Sequence, residues 1–457
     1  MSSNSGSNSG SNSGSKLPLF KANDVKSFKF TIEQYINLEI EFNRYTIYKE
    51  FIKSIENILN LNDTTPNNFS NRKLYENKNI LDRFILECIN HGIGQSPTTT
   101  IPIRDDDVLQ NNSLNLEISR VDNAPDAIDL EKFAMYLFFN NYIMNIDTLR
   151  KCIYYRKMLD EYYEKKIKLT NENIARIEKT ILDMQNKFNN MNNLLLLNKN
   201  KPGYFNVVNC CIYVSSNENY IIKYRNYTRV INFTRYSKLI HNYDRPFPYD
   251  IIRMILRYAI FDTSNQQWSI GINLYENISN MFDISFEMFA SPLNFNMNMF
   301  CSIFLDTDKI FGSVGSFYNL TIDKLLNQNI KGVFFNPPYL PILMNYTTQK
   351  CINILDQMAE KQIDFTVVSF LPAWNDANYI QHFITSRYTM FYKIINRGDY
   401  VLHEKDKGKI IKGTFDLLII IMNSCKNDII TNKHDKLEHM TTSFNNIIKM
   451  MKEETHS

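Results

Sequence analysis

The chain has 457 residues, enough for two or three domains, and its 44% hydrophobic and 13% aromatic content marks it as globular. A net charge of +3 excludes recognition of nucleic acid by bulk charge, so any such surface must be a local patch. Asn, Ile and Lys are abundant, which reflects an AT-rich coding sequence more than a function.

Seven cysteines are scattered at Cys88, Cys152, Cys210, Cys211, Cys301, Cys351 and Cys425. None forms a Cys-x-x-Cys pair and no histidine stands at metal-ligand spacing beside them, so reduced thiols and no metal are expected. No stretch has the length of a membrane-crossing helix, and the start lacks a signal-peptide apolar core. The expectation is a soluble intracellular protein without membrane contact, with nucleus and cytoplasm both open.

Residues 1–16 carry a Ser/Asn/Gly repeat with nothing to bury and read as a disordered tail. Residues 17–200 read as an α-helical domain. Within it, 30–61 has apolar residues at three- and four-residue steps, 92–129 is an irregular loop broken by Pro97, Pro102 and Pro125, and 130–168 is helical again. The clearest helix spans 171–197, with Ile174, Ile177, Ile181, Met184, Phe188, Met191 and Leu195 in a heptad-like stripe. Three heptads need a partner, expected as an antiparallel helix of the same domain.

Residues 201–428 read as a second domain that opens with a β-rich, basic-aromatic segment. Strands are expected at 205–214 and 220–233, joined by a turn at 215–217. The basic side chains Lys223, Arg225, Arg229, Arg235 and Arg245 alternate with tyrosines and phenylalanines, a pattern that suits a nucleic-acid groove or, equally, an ordinary strand pair. From 248 onward helices and strands alternate, the signature of a parallel α/β sheet. Strands are expected at 267–273, 286–290, 332–335, 365–371 and 415–422, with a helix at 347–361. Strand-like pieces at 388–396 and 399–402 and a turn at 405–409 precede a final antiparallel hairpin. Residues 429–457 read as a charged tail.

The strand at 332–335 runs straight into Asn336-Pro337-Pro338-Tyr339. Neither proline can extend a ladder, so the chain must leave the sheet as a stiff loop at the strand's carboxyl end, where open α/β sheets bind ligands. An amide oxygen, a fixed carbonyl and an aromatic ring at such a mouth suit methylation of a planar, weakly nucleophilic amine. The Asn336 side chain and the Pro337 carbonyl can each accept an N–H from adenine N6, while Tyr339 stacks on the base. On its own the motif could equally be a turn.

The segments Phe286-Glu287-Met288-Phe289-Ala290-Ser291-Pro292-Leu293-Asn294, Phe300-Cys301-Ser302, Asp306-Thr307-Asp308 and 311–317, followed by the Asn-Pro-Pro-Tyr loop, point the same way. Together they resemble the phosphorylated-CTD-interacting-factor type of cap-specific adenosine N6-methyltransferase. The likeness covers roughly 245–425 and extends through Val367 to Trp374. It implies a class I, Rossmann-like S-adenosylmethionine-dependent methyltransferase domain beside an α-helical domain, acting on capped RNA. On this resemblance Asn336, Pro337, Pro338 and Tyr339 hold the adenine. Ala290, Ser291, Pro292, Asn294, Gly312, Ser313, Gly315, Ser316 and Asn336 line the pocket for S-adenosylmethionine, and Trp374 joins the basic residues above on the RNA side.

Four departures accompany the likeness. Tyr339 replaces the family's usual Phe, Ala373 stands where better-known members carry an acid, and a glycine-rich first motif is absent. With only Trp268 and Trp374, the chain is expected to be without a WW module and so without WW-mediated contact to the polymerase tail. DNA adenine, a protein glutamine, or no substrate at all (an inactive cap- or RNA-binding subunit) remain the alternative readings of the same fold.

Overall fold

A run such as Leu-Leu-Ile-Ile-Ile-Met at 417–422 has no polar face and can be stable only as a strand covered on both sides. The computed structural model describes residues 25–58, 171–201, 210–215, 219–241, 248–259, 268–339, 341–374, 378–405 and 407–454. The tail at 1–16, the loop at 92–129 with its acidic triplet Asp105–Asp107, the helix expected at 130–168, and Arg245 lie outside those residues.

The described strands are β1 (Val25–Ser27), β2 (Cys210–Val214), β3 (Tyr220–Tyr224), β4 (Tyr227–Ile231), β5 (Trp268–Ser269), β6 (Phe286–Glu287), β7 (Met299–Phe300), β8 (Gly332–Phe335), β9 (Thr366–Pro372), β10 (Thr389–Ile395), β11 (Val401–Glu404), β12 (Lys409–Lys412) and β13 (Leu417–Asn423). A six-stranded mixed sheet runs β10-β13-β9-β8-β6-β7. Strands β7, β6, β8 and β9 are parallel, and β13 is antiparallel to both β9 and β10. The strand order turns at β6, whose neighbours β7 and β8 lie on opposite sides.

Alternate side chains feed two separate cores. Val333, Phe335, Val367, Leu371, Leu418 and Ile420 face one, shared with the Pro341–Glu360 helix. Phe334, Val368, Phe370, Leu417, Ile419 and Ile421 face the other, shared with the Ile272–Phe282 and His434–Glu453 helices. The result is a three-layer α/β/α arrangement. Each fully buried Leu, Ile or Phe contributes about 1.5–3 kcal/mol, so the sheet's own side chains are a large part of the driving force.

Several sequence expectations change at this point. The strand expected at 220–233 is a hairpin, because Arg225 takes a left-handed φ of 52° and turns the chain between β3 and β4. Beyond it, Phe233–His241 is a helix, with Tyr236 stacked 3.8 Å from Tyr220. The strand expected at 267–273 shrinks to β5, since Gly271 starts the Ile272–Phe282 helix. The hairpin β11–β12 joins β5 in its own three-stranded sheet rather than closing the large one. The segment expected as a charged tail contains the His434–Glu453 helix, which buries Met440, Phe444, Ile447 and Met451.

The Ile32–Ile58 and Asn171–Asn198 helices do pair antiparallel: Ile36 meets Leu195, Asn43 bonds Asn192 and Glu50 pairs with Lys187. A second small sheet, β1-β2-β3-β4, lies against the first of these helices, where the Tyr224 hydroxyl donates to Glu39 over 2.6 Å. Among the described residues no helix is long and apolar enough to cross a membrane.

A buried ion network fastens this N-terminal part to the large sheet. Glu41 is 2% exposed and accepts from Arg257 Nη2 at 2.6 Å and Arg44 Nη1 at 2.8 Å. Arg257 also donates to Asp306 Oδ2 at 3.0 Å. Burial alone would raise the Glu41 carboxyl, but Arg257, Arg44 and Arg253 outweigh it and hold it down to about 2. Next to this network Asp308 is fully buried, accepting from the Tyr258 hydroxyl at 2.6 Å. Burial pushes Asp308 up to about 6 against the pull of its bonds to Tyr258, Ser302 and Thr307.

Two outcomes follow from these opposite shifts. Glu41→Gln should lower stability at neutral pH by about 3 kcal/mol, read by denaturant unfolding, because it strands buried guanidinium charge. Asp308 has its folded value above its unfolded one, so its contribution is full below about pH 4 and is lost as pH rises through about 6. The loss amounts to about 3 kcal/mol, at ~1.4 kcal/mol per pH unit. Thermal unfolding of Asp308→Asn at several pH values should show that fall flattened.

Candidate active site

Strand β8 pairs with β9 in parallel register from Gly332 opposite Thr366 to Phe335 opposite Ser369. Ser369 Oγ donates to the Phe335 carbonyl at 2.5 Å, closing the ladder one residue before the prolines remove its donors. The chain then crosses the sheet's carboxyl edge as Asn336-Pro337-Pro338-Tyr339 and enters the next helix at Pro341, a favoured first helical residue. The loop is therefore short and fixed at both ends. It stands beside β6, where the strand order turns, the position at which open α/β sheets bind ligands.

Asn336 is half-buried, and its side-chain oxygen lies 3.1 Å from the Tyr339 hydroxyl. That hydroxyl is also 3.2 Å from the Phe370 carbonyl in β9, and its one proton serves one acceptor at a time. Burial pushes the Tyr339 phenol above its ordinary value, so it remains a donor at neutral pH. With the hydroxyl donating to Asn336, the amide oxygen keeps a second lone pair. The ring of Tyr339 stands edge-on to Phe415 at 5.4 Å, and Phe415 stands edge-on to Tyr400 at 6.0 Å. The Tyr400 hydroxyl donates to the Phe415 carbonyl at 2.8 Å. Gly413 lies flat against the Tyr400 ring, and a Cβ there would collide with it.

The segments expected at the cofactor pocket lie at the same sheet edge. Ala290 N donates to the Cys301 carbonyl at 2.9 Å, tying the loop after β6 to the end of β7. Ser291 and Asn294 bond each other: Ser291 N donates to Asn294 Oδ1 at 2.7 Å, and Ser291 Oγ lies 3.1 Å from the same oxygen. Pro292 is buried between them. The stretch 312–316 adds to the outer edge of β7 in parallel, with Val314 N donating to the Phe300 carbonyl at 2.9 Å and Ser302 N to Gly315 O at 3.0 Å. Gly312 (φ 100°) and Gly315 (φ 104°) hold left-handed conformations that side chains rarely adopt. Ser313 and Ser316 are buried, and Ser313 Oγ is 2.7 Å from Ser302 Oγ. The Ser302 and Ser313 hydroxyls are thus taken up by each other within this edge.

The residues expected to meet RNA are not brought together. Lys223 lies over the Tyr213 ring at 5.2 Å, Arg225 pairs with Glu39 at 2.7 Å, and Arg229 is half-buried in β4. Arg235 is only 4% exposed and donates to the Phe295 carbonyl at 2.7 Å. It holds a loop beside the sheet and is no surface contact. The sequence could not give this away, because an alternating basic-aromatic pattern reads alike whether the cation faces water or a carbonyl. Trp374 is half-buried, edge-on to Tyr379 at 6.3 Å. Tyr400 and Phe415, which support Tyr339, went unnoticed in the sequence, where no spacing links them to the loop. Among the described residues no group of His, Cys, Asp and Glu could hold a metal ion.

Residues 227–404, less than half of the chain, match a family model described as the phosphorylated CTD interacting factor 1 WW domain. That match corrects the expectation of a chain without a WW module and without WW-mediated contact to the polymerase tail. Both tryptophans, Trp268 and Trp374, fall inside the matched span, so their scarcity was no argument. A mouse protein named mRNA (2'-O-methyladenosine-N(6)-)-methyltransferase is 30% identical over 125 residues, and the human protein of that name is 29% identical over the same length. Each match spans 27% of this chain and only 16% of the relative's length.

Tyr339→Phe, which keeps the ring and removes the hydroxyl, should cost about 1 kcal/mol of stability in denaturant unfolding. Tyr339→Ala, which also vacates the contact with Phe415, should cost at least twice that.

Proposed function

We propose that this chain transfers a methyl group from S-adenosylmethionine to N6 of an adenosine in RNA, the cap-adjacent adenosine of mRNA. One observation carries the reading: the Asn336 amide oxygen, oriented by the Tyr339 hydroxyl, at the carboxyl end of β8 beside the turn in strand order. The mixed sheet supports it, since four parallel strands followed by two strands related by an antiparallel hairpin is the order expected of a class I, Rossmann-like methyltransferase. The names of the mouse and human relatives supply the substrate. The description of the matched family model also makes the phosphorylated polymerase tail a partner to test.

S-adenosylmethionine, when bound, supplies an electrophilic methyl group. The residues present suit it: the loop 290–294 and the turn 312–316 are rigid, internally bonded and at the ligand-binding edge. Asn336 and the Pro337 carbonyl then accept the two N6 hydrogens, drawing the nitrogen lone pair out of conjugation with the purine. The face of Tyr339 supports the base, and Phe415 holds that ring from its edge. Positioning is the main contribution of the chain, and the proton lost from N6 passes to water.

Asn336→Ala should reduce methyl transfer by at least a hundredfold with an unchanged unfolding curve. The substrates are short RNAs that differ in cap methylation and first nucleotide, together with DNA and a protein extract. Incorporation confined to capped RNA beginning with adenosine is expected. Equal labelling of uncapped RNA removes the cap from the reading, and labelling of DNA or protein alone sinks it.

A further inference from the structure

A chain of hydrogen bonds runs from the buried Asp308 into the turn 312–316. The Asp308 carboxyl accepts from the Tyr258 hydroxyl at 2.6 Å on Oδ2 and from the Thr307 hydroxyl at 2.9 Å on Oδ1. The Ser302 hydroxyl bonds the same carboxyl. Ser302 Oγ lies 2.7 Å from Ser313 Oγ, and Ser313 Oγ accepts from Gly315 N at 3.2 Å. Ser302, Asp308, Ser313 and Gly315 are all buried, so no water competes along this path.

The number of protons gives the chain a direction. A carboxylate only accepts, and a serine has one proton to give. Burial pushes Asp308 up to about 6, which leaves it mostly ionised at neutral pH. Ser302 then donates to Asp308, and Ser313 becomes the donor between the two serines while its oxygen accepts from Gly315. Every bond from the Gly315 N–H to Asp308 points toward the negative charge, and bonds aligned in this way strengthen one another. The Gly315 N–H is held inward, and the Val314 carbonyl, on the far side of the same trans peptide, is turned away from the serines.

Strand pairing does not call for this charge. Val314 N to the Phe300 carbonyl and Ser302 N to the Gly315 carbonyl already attach the turn to β7. A raised carboxyl means that folding disfavours the ionised form, so a neutral side chain at 308 would serve the fold better at neutral pH. The charged neighbours do not offset that cost. Arg257 is taken up by Glu41 and Asp306, and Asp306 itself pushes Asp308 further up. The charge is felt at the other end of the chain, in a turn where Gly312 and Val314 are only half-buried.

We propose that Asp308 is a positioning residue for methyl transfer: through Ser302 and Ser313 it fixes the Gly315 peptide, so that the Val314 carbonyl faces the methyl donor as a hydrogen-bond acceptor. The inference rests on the function proposed above, in which the turn 312–316 lines the pocket for S-adenosylmethionine. Asp308 touches no ligand and acts on affinity through the shape of the turn.

Titration calorimetry of the full chain with S-adenosylhomocysteine at neutral pH tests this. Asp308→Asn has one amide oxygen and cannot accept from hydroxyls on both sides. That variant and Ser302→Ala should each lower the affinity at least about fivefold, the worth of one hydrogen bond. The double variant should bind within about twofold of the weaker single one, because both changes break the same chain. Losses that multiply overturn the proposal, as does unchanged affinity in either single variant. Tyr388→Phe, which removes the hydroxyl bonded to Asp356 at the opposite edge of the sheet, controls for lost stability and should bind as wild type does. An equal loss of affinity there also overturns it. If Asp308→Asn does not fold, Ser302→Ala, Ser313→Ala and their double variant decide by the same criteria. Wild-type protein that binds no S-adenosylhomocysteine sinks the methyl-donor reading and this inference with it, whereas the other adverse results leave that reading standing.

Discussion

The buried network around Glu41 joins parts of the chain more than two hundred residues apart. Arg257 reaches Glu41 on one side and Asp306 on the other, so a single guanidinium links the N-terminal helix to the turn that leads into 312–316. Direction matters here as much as energy. A planar donor fork facing two carboxylates tolerates little rotation, and the helix is therefore oriented as well as attached. With that joint in place, Asp308 is sealed from water against Tyr258, and the short parallel extension beyond β7 begins from a fixed point.

The edge of the large sheet shows a second use of satisfied polar groups. Ser291, Asn294, Ser302 and Ser313 all read as ligand-binding residues by type, yet their visible bonds run to one another and to the backbone. A site assembled this way depends on shape and exposed main chain. Asn336 differs: its side chain has one internal partner and retains acceptor capacity at the mouth. In the proposed reaction, chemistry is concentrated in few atoms while the surrounding residues hold them still.

How much of this was legible in the sequence depended on period and on chain-stopping residues. The strand at 332–335 was readable to the residue because two prolines end it, and β9 and β13 were readable because unbroken apolar runs leave a strand no exposed face. The helix at 233–241 was hidden by alternating charge and ring, which mimics a strand until Tyr236 is seen stacked on Tyr220. The His434–Glu453 helix was hidden by its charge, since the buried Met440, Phe444, Ile447 and Met451 suffice to dock it while most of the rest stays polar. Arg235 and Lys405 could not be placed from sequence at all. Burial of a cation is decided by carbonyls far along the chain, and no local pattern records it.

Gly413 gives this organisation an unexpected reach. It touches no part of the Asn336 loop, yet it lies against Tyr400, which holds Phe415, which in turn holds the ring of Tyr339. A side chain at 413 would push on the first ring of that series, and close-packed rings transmit displacement instead of absorbing it. A substitution at this remote hairpin thus bears on the geometry of the loop, much as a hinge pin constrains a door whose latch is elsewhere. A survey restricted to residues near the reacting atoms would pass over the one position whose only qualification is having nothing to put there.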